Sequence, residues 1–156
     1  IFSSLPLFRA LPTPTSLLSL PHLFVSSHFL PHPTTTQITS EAEVARILPI
    51  AKALSVPITF RAAGTSLSGQ AITDSVLLKL SHTGRAFRSH EVHGDGSRVT
   101  VEPGLIGGEV NAILARHAKK NKLPVQYKIG PDPSSIDSCM VGGIVSNNSS
   151  GMCCGV

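Results

Sequence analysis

The chain has no Trp, one Tyr and six Phe, so aromatic residues make up only 4% of its 156 positions. With so few flat side chains to stack on bases, it is not expected to be a general nucleic-acid binder. Charge is scarce as well: Asp, Glu, Lys and Arg contribute 14%, against a usual share of roughly 25%. Together with 41% hydrophobic residues, that excludes a charge-rich disordered chain and leaves enough apolar surface for one core. The net charge of +4 is spread along the sequence, and only Arg116, Lys119, Lys120 and Lys122 cluster. Cysteine is limited to Cys139, Cys153 and Cys154, an odd number with two adjacent, so no disulfide framework is expected. These three lack C-x-x-C spacing, and His82, His90 and His93 have no companion Cys or carboxylate pattern, so no metal site is expected. No initiator Met precedes Ile1, and the chain stops at Val156 in a Gly-rich run, which reads as a fragment.

Residues 1–40 hold six of the twelve prolines, thirteen Ser or Thr, no Gly, no acidic residue and one Arg. The apolar stretch from Leu17 to Leu30 is broken by Pro21, His22, Ser26, Ser27 and His28, too short and polar for a transmembrane segment. Abundant Ser without acid is one mark of an organelle transit peptide, with the mitochondrion one compartment it could address, but an Arg-bearing amphipathic helix is missing, so the compartment stays open. A disordered leader or a wrongly translated upstream exon therefore stands beside a targeting segment as the reading of residues 1–40.

From Ser40 the text changes to that of a packed domain, 41–156. Ser40 and Glu43 form a capping box, and Val44, Ile47, Leu48, Ala51 and Leu54 recur at helical spacing, predicting a helix over 41–54 with one buried stripe. Pro49 should kink it, because it cannot bond the carbonyl of Ala45. Strands are predicted at 57–61, 75–80, 87–92 and 98–102, the last two joined by the turn His93-Gly94-Asp95-Gly96. Val110, Ile113 and Leu114 mark a helix over 107–119. The remainder, 129–156, is a mixture of Gly, Pro, Ser and Asn.

Two segments carry chemistry. Gly64-Thr65-Ser66-Leu67-Ser68-Gly69-Gln70-Ala71 has the glycine spacing of a nucleoside-triphosphate loop. It lacks that loop's chemistry, with Gln70 where a Lys is needed and Ala71 where a hydroxyl is needed. A loop of bare backbone N–H groups without a cation suits a diphosphate inside a cofactor; a plain turn is the other reading. The dinucleotide fingerprint G-x-G-x-x-G is absent, so a Rossmann site is not supported. The second segment, Cys139 to Gly151, sets paired Gly142 and Gly143 among short polar side chains. Either a flat ligand passes close to those glycines, or they allow tight packing of protein on protein.

Four stretches in order carry a resemblance. They are Thr59-Phe60-Arg61-Ala62-Ala63-Gly64-Thr65-Ser66-Leu67-Ser68-Gly69-Gln70-Ala71; Val101-Glu102-Pro103-Gly104; Lys128-Ile129-Gly130-Pro131-Asp132-Pro133-Ser134-Ser135-Ile136; and Val141-Gly142-Gly143-Ile144-Val145-Ser146-Asn147-Asn148-Ser149-Ser150-Gly151-Met152-Cys153-Cys154-Gly155. The sequence resembles the FAD-binding (PCMH-type) domain of the vanillyl-alcohol-oxidase/p-cresol-methylhydroxylase superfamily. Within it, the likeness is nearest to D-lactate and glycolate dehydrogenases of the FAD plus iron–sulfur branch.

The resemblance implies an α+β fold of two small subdomains, one mixed and one antiparallel, incomplete at its C-terminal end. By motif position it implies that Arg61, Ala62, Ala63, Gly64, Thr65 and Ser66, with Gly69, hold a pyrophosphate through backbone N–H groups. Ser134, Ser135, Ser138 and Cys139 would line the approach to the flavin, and Gly142 and Gly143 would let it pass close. Asn147, Asn148 and Ser149 would add polar contacts, and Pro103 and Gly104 match a turn near the cofactor. Some members tether FAD through a His just after the loop glycine; Thr65 stands there, which implies noncovalent FAD. The segment Pro31 to Gln37 matches the family's opening strand poorly, so that strand is expected to be missing. A substrate domain beyond Val156 would hold the catalytic residues, leaving none here. The implied parent enzyme oxidises a small D-2-hydroxy acid and passes electrons to a quinone, cytochrome or iron–sulfur acceptor. Another flavin oxidase of the superfamily, or a noncatalytic phosphate-ligand module, are the rival readings.

Overall fold

In the computed structural model, residues 34–81 and 86–152 are described. Expectations that fall on residues 1–33, His82, Cys153 and Cys154 lie outside them. The chain opens with β1 (Thr34–Ile38), α1 (Glu41–Ala53), β2 (Ile58–Arg61) and β3 (Val76–Leu80). It continues with β4 (His90–His93), β5 (Arg98–Val101), α2 (Gly107–Lys120) and α3 (Val141–Ser146).

The expected loss of the first strand is corrected here. Thr34–Ile38 is paired in parallel with β3, Thr34 opposite Val76 and Ile38 opposite Leu80, so folded structure starts ahead of the boundary expected at residue 41. Three consecutive Thr behind two prolines read as a leader, yet Thr suits a strand, and Ile38 anchors it at 2% exposure. The sheet order is β1-β3-β2, with β2 also parallel to β3. Among the described residues this sheet is parallel throughout rather than mixed. Strands β4 and β5 form a separate antiparallel pair.

Helix α1 begins as its capping residues require. Ser40 Oγ accepts the Glu43 N–H at 3.3 Å, and the Glu43 carboxylate accepts the Thr39 N–H at 2.6 Å. That second bond, with the Thr39 hydroxyl beside it, holds the Glu43 carboxyl below the usual carboxylate range. The helix continues through Pro49 instead of stopping there. Both Pro49 and Ala45 are exposed, so water can take the bond that the missing amide would have made. The apolar stripe is only half covered: Val44 and Ile47 pack on the core, while Leu48 and Leu54 remain 45% and 52% exposed.

Two apolar cores result. One gathers Ile38, Leu78, Leu80 and Met140 between the parallel sheet and α1. The other gathers Leu105, Val110, Ile113 and Leu114, where α2 lies against the hairpin residues Val92, Val99 and Val101. A seam joins them. Ile106 bridges Met140, the Gly107 N–H donates to the Cys139 carbonyl at 3.0 Å, and the Val141 N–H donates to the Leu105 carbonyl at 2.8 Å. Met140 thus belongs to the first core while its neighbour Val141 packs on the second.

The strand expected from Phe87 starts at His90 instead, because Phe87 takes a left-handed backbone (φ 56°) and turns its ring toward the first core. Arg88 fixes the hairpin to α2: its Nη2 lies 2.6 Å from each Glu109 oxygen. The Ile106 N–H also donates to Glu109, at 3.0 Å. The Ile106 bond first, then the Arg88 guanidinium, hold the Glu109 carboxyl below the usual range. No helix among the described residues is long and apolar enough to cross a membrane.

Candidate functional site

A cavity of about 800 Å3 opens where the end of the parallel sheet meets the segment that follows the seam. On one side stands the loop that leaves β2, Ala62 to Ser68, continued by Gln70 and Ala71. On the other stand Ser135, Cys139 and the α3 residues Gly142, Gly143 and Ser146, with Asn147 and Ser149 just beyond them. The floor is apolar, built from Ile38, Phe60, Leu80, Phe87, Met140 and Ile144.

The loop owes its shape to two glycines in the left-handed region, Gly64 (φ 77°) and Gly69 (φ 78°). At Gly64 the constraint is steric too. A Cβ there would stand 2.2 Å from the Arg61 Nε and 2.6 Å from its Nη2. Within the loop the Ser66 hydroxyl bonds the Gln70 side-chain carbonyl, and the Ser68 N–H donates to Ser66 Oγ at 3.4 Å.

Helix α3 was not foreseen. Two glycines disfavour a helix, but the seam delivers Met140 and Val141 in place, and the first turn closes from Gly143 and Ile144 N–H to the Met140 carbonyl, both at 3.0 Å. The paired glycines then divide their duties. A Cβ on Gly142 would lie 2.9 Å from the Pro103 Cβ, so this position serves close packing. A Cβ on Gly143 would meet only the Ala62 Cβ, at 3.9 Å. Gly143 therefore leaves the cavity wall flat, beside the opposite loop. Beyond α3, the Asp132 N–H donates to the Ser150 carbonyl at 3.0 Å, and the Met152 N–H returns to the Asp132 carbonyl at 3.2 Å. The third and fourth sequence stretches are thereby held together.

Of the residues expected at a site, the structure brings Ala62, Ala63, Gly64, Thr65, Ser66, Ser135, Cys139, Gly142, Gly143, Asn147 and Ser149 to one cavity. Arg61, Gly69, Ser134, Ser138 and Asn148 do not line it. The turn at 135–139 explains part of this: the Cys139 and Ser138 N–H groups both donate to the Ser135 carbonyl at 2.8 Å. Ser135 and Cys139, four apart, face inward, while Ser134 and Ser138 are exposed. Asn148 ends α3 in the left-handed region (φ 48°) and is exposed. Pro103 reaches the cavity; Gly104 instead packs on the Phe87 carbonyl, which accepts its N–H at 2.8 Å. Lys128 pairs with Asp132 at 3.0 Å.

Sequence reasoning missed the apolar floor. Phe60 had a signal: it alternates with Ile58 along β2, so both belong to the face of the sheet that the first core occupies. Leu67, fully exposed at the loop tip, also borders the cavity and had none.

No Asp, Glu, Lys, Arg or His lines the cavity among the described residues. Its chemistry is that of main-chain amides, hydroxyls, side-chain amides, the Cys139 thiol and apolar surface. Such a wall can orient a large, partly apolar ligand and satisfy its oxygens, and it holds no carboxylate, imidazole or ammonium group among the described residues. A flavin dinucleotide fits these donors. Gly143 leaves a flat approach, the Gly64 loop presents backbone amides, and the Arg61 Nε is a buried nitrogen without a partner next to that loop.

Comparison with known proteins gives the same direction. A family profile described as "FAD binding domain" matches residues 34–156. The glycolate oxidase subunit GlcD of Escherichia coli (strain K12) is 32% identical over 114 residues, 72% of this chain and 21% of that protein. GlcD of Bacillus subtilis (strain 168) is 31% identical over 112 residues, 70% of this chain and 22% of that protein. The chain thus spans about a fifth of the length of the curated relatives it matches. The match begins at Thr34, the first residue of β1, and runs through the loop, the seam and α3. The chain belongs to the family of FAD-binding domains, and its cofactor is FAD.

Proposed function

We propose that this chain is the FAD-holding part of a flavoenzyme that oxidises a small D-2-hydroxy acid of the D-lactate or glycolate type. In the same reading, electrons leave to a quinone, cytochrome or iron–sulfur acceptor. The observation that carries the assignment is the junction of the Gly64 loop and α3 at one uncharged cavity with an apolar floor. The GlcD relatives, named as glycolate oxidase subunits, support the substrate class.

In this reading the backbone amides of Ala63 to Ser66 receive the diphosphate, and Gly143 admits the ribityl chain or ring. Ser135, Asn147 and Ser149 add neutral polar contacts, while Phe60, Phe87 and Met140 keep water from the apolar end. When bound, FAD supplies the acceptor for the hydride that leaves the substrate's α-carbon. The residues described here hold and orient; none at the cavity is a base for a 2-hydroxy acid. Thr65 has no nucleophilic nitrogen to offer, so the cofactor is held without a covalent bond.

The test is direct. The purified protein should be yellow, with about one flavin per chain, and acid precipitation should release that flavin into the supernatant. A well-folded, colourless protein that ignores added FAD would refute the assignment. Flavin that stays with the precipitate would refute noncovalent attachment.

A further inference from the structure

The cavity is uncharged, yet one cation, Arg61, stands beside its loop without an ion-pair partner among the described residues. Arg61 ends β2, and its register partner in β3 is Lys79, on the same face of the sheet. Neither enters an ion pair among the described residues. Like charges placed side by side across strands repel, so a sequence that places them there leaves an unbalanced positive field. The Arg61 guanidinium does not extend into solvent. It folds back beneath Gly64, so close that a Cβ on Gly64 would stand 2.2 Å from Nε and 2.7 Å from Cζ. Its Nε is the one buried side-chain nitrogen or oxygen without a hydrogen-bond partner among the described residues. Such a nitrogen costs stability unless something else present in the working state offsets it. Gly64 lines the cavity and Arg61 does not, so a single glycine separates the guanidinium from the cavity.

We infer that the Arg61 side chain is the counter-charge for the anionic diphosphate of the cofactor, acting from behind Gly64 rather than by entering the cavity. This rests on the FAD-holding role proposed above. It assigns to the guanidinium what the loop's amides cannot supply, a full positive charge. Gly64 is then required twice: for its left-handed backbone, and because any side chain would push the cation away from the loop. Arg61 is a positioning residue that acts on the ligand by Coulomb attraction across a thin layer of protein beside an open cavity, where dissolved salt screens part of the attraction.

The experiment measures FAD and ADP affinity of the full chain, stripped of flavin, at low and high NaCl for wild type, Arg61→Met and Arg61→Lys. Wild type should bind FAD and ADP less tightly as salt rises. Arg61→Met should lose about tenfold in affinity for both ligands near about 20 mM NaCl, and that gap should shrink by about 500 mM, where charges are screened over a few ångströms. Arg61→Lys, which keeps the charge, should stay within about threefold of wild type. A loss in Arg61→Met that is the same at every salt concentration would show a purely structural prop and overturn the inference. So would unchanged affinity. If Arg61→Met does not fold, judged by circular dichroism, the wild-type salt dependence decides: a flat FAD affinity overturns the inference. Wild type that binds no FAD at all defeats the functional assignment instead, so the two failures are distinguishable.

Discussion

Gly143 and Ala62, which both line the cavity, come close together: the Ala62 Cβ lies 3.9 Å from where a Cβ on Gly143 would stand. The loop after β2 and the helix after the seam, far apart in sequence, meet at that point. Its neighbour Gly142 is in contact with Pro103 instead, at 2.9 Å by the same construction. Substitutions at the two glycines should therefore separate binding from stability. Gly142→Val should overpack and cost about 1–3 kcal/mol, lowering the melting temperature by several degrees. Gly143→Val should melt close to wild type but lose at least about tenfold in FAD affinity, because its methyl groups fill space left for a ligand. Thermal melts and flavin titrations on the same samples check both.

Gly64→Val places a β-branched side chain at φ 77° and into the Arg61 guanidinium. The loop must then rearrange, and flavin retention should disappear, while the β4–β5 pair and its packing on α2 stay folded. Two-dimensional amide spectra would show the outcome: shifts confined to the loop, β2 and α3. Retention of flavin at wild-type strength would remove the loop from the binding site.

The expected elements that the structure reproduces are those with short-range causes. Ser40 and Glu43 cap α1 within four residues, and the 3.6 spacing of Val110, Ile113 and Leu114 buries one side of α2. Elements with long-range causes were not legible. β1 has one buried residue, Ile38, and exists because β3 offers it a parallel edge. α3 contains two glycines and exists because Ile106 and Leu105 hold the chain entering it. For the site, the glycines and hydroxyls stood out as residue types, but which of them face inward did not. That depended on the turn at 135–139 and on the left-handed end of α3 at Asn148. The uncompensated Arg61 was visible only in three dimensions, since the nearest possible counter-charges in sequence say nothing about what lies beneath Gly64.

The Arg88–Glu109 pair makes a pH prediction. Glu109 has its pKa lowered in the folded state, first by the Ile106 N–H and then by Arg88. A depressed folded pKa contributes stability that is present above the unfolded value, near 4.5, and is lost as pH falls through the lower folded value. Glu109→Gln should therefore melt below wild type at pH 7, by the equivalent of about 1 kcal/mol for a pair that is partly exposed. The two proteins should converge as pH falls below 4.5 and on through the lower folded value. Melting curves from pH 3 to 7 measure this, and a gap that stays constant across the range would show that charge is not its source.

Hydrogen exchange on the full chain, with and without FAD, tests the central claim most directly. Amides of residues 62–70 and 141–149 should both slow when FAD is added, with little change in β4, β5 and the C-terminal turns of α2. Flavin that binds while either of the two segments exchanges as fast as before would contradict the account.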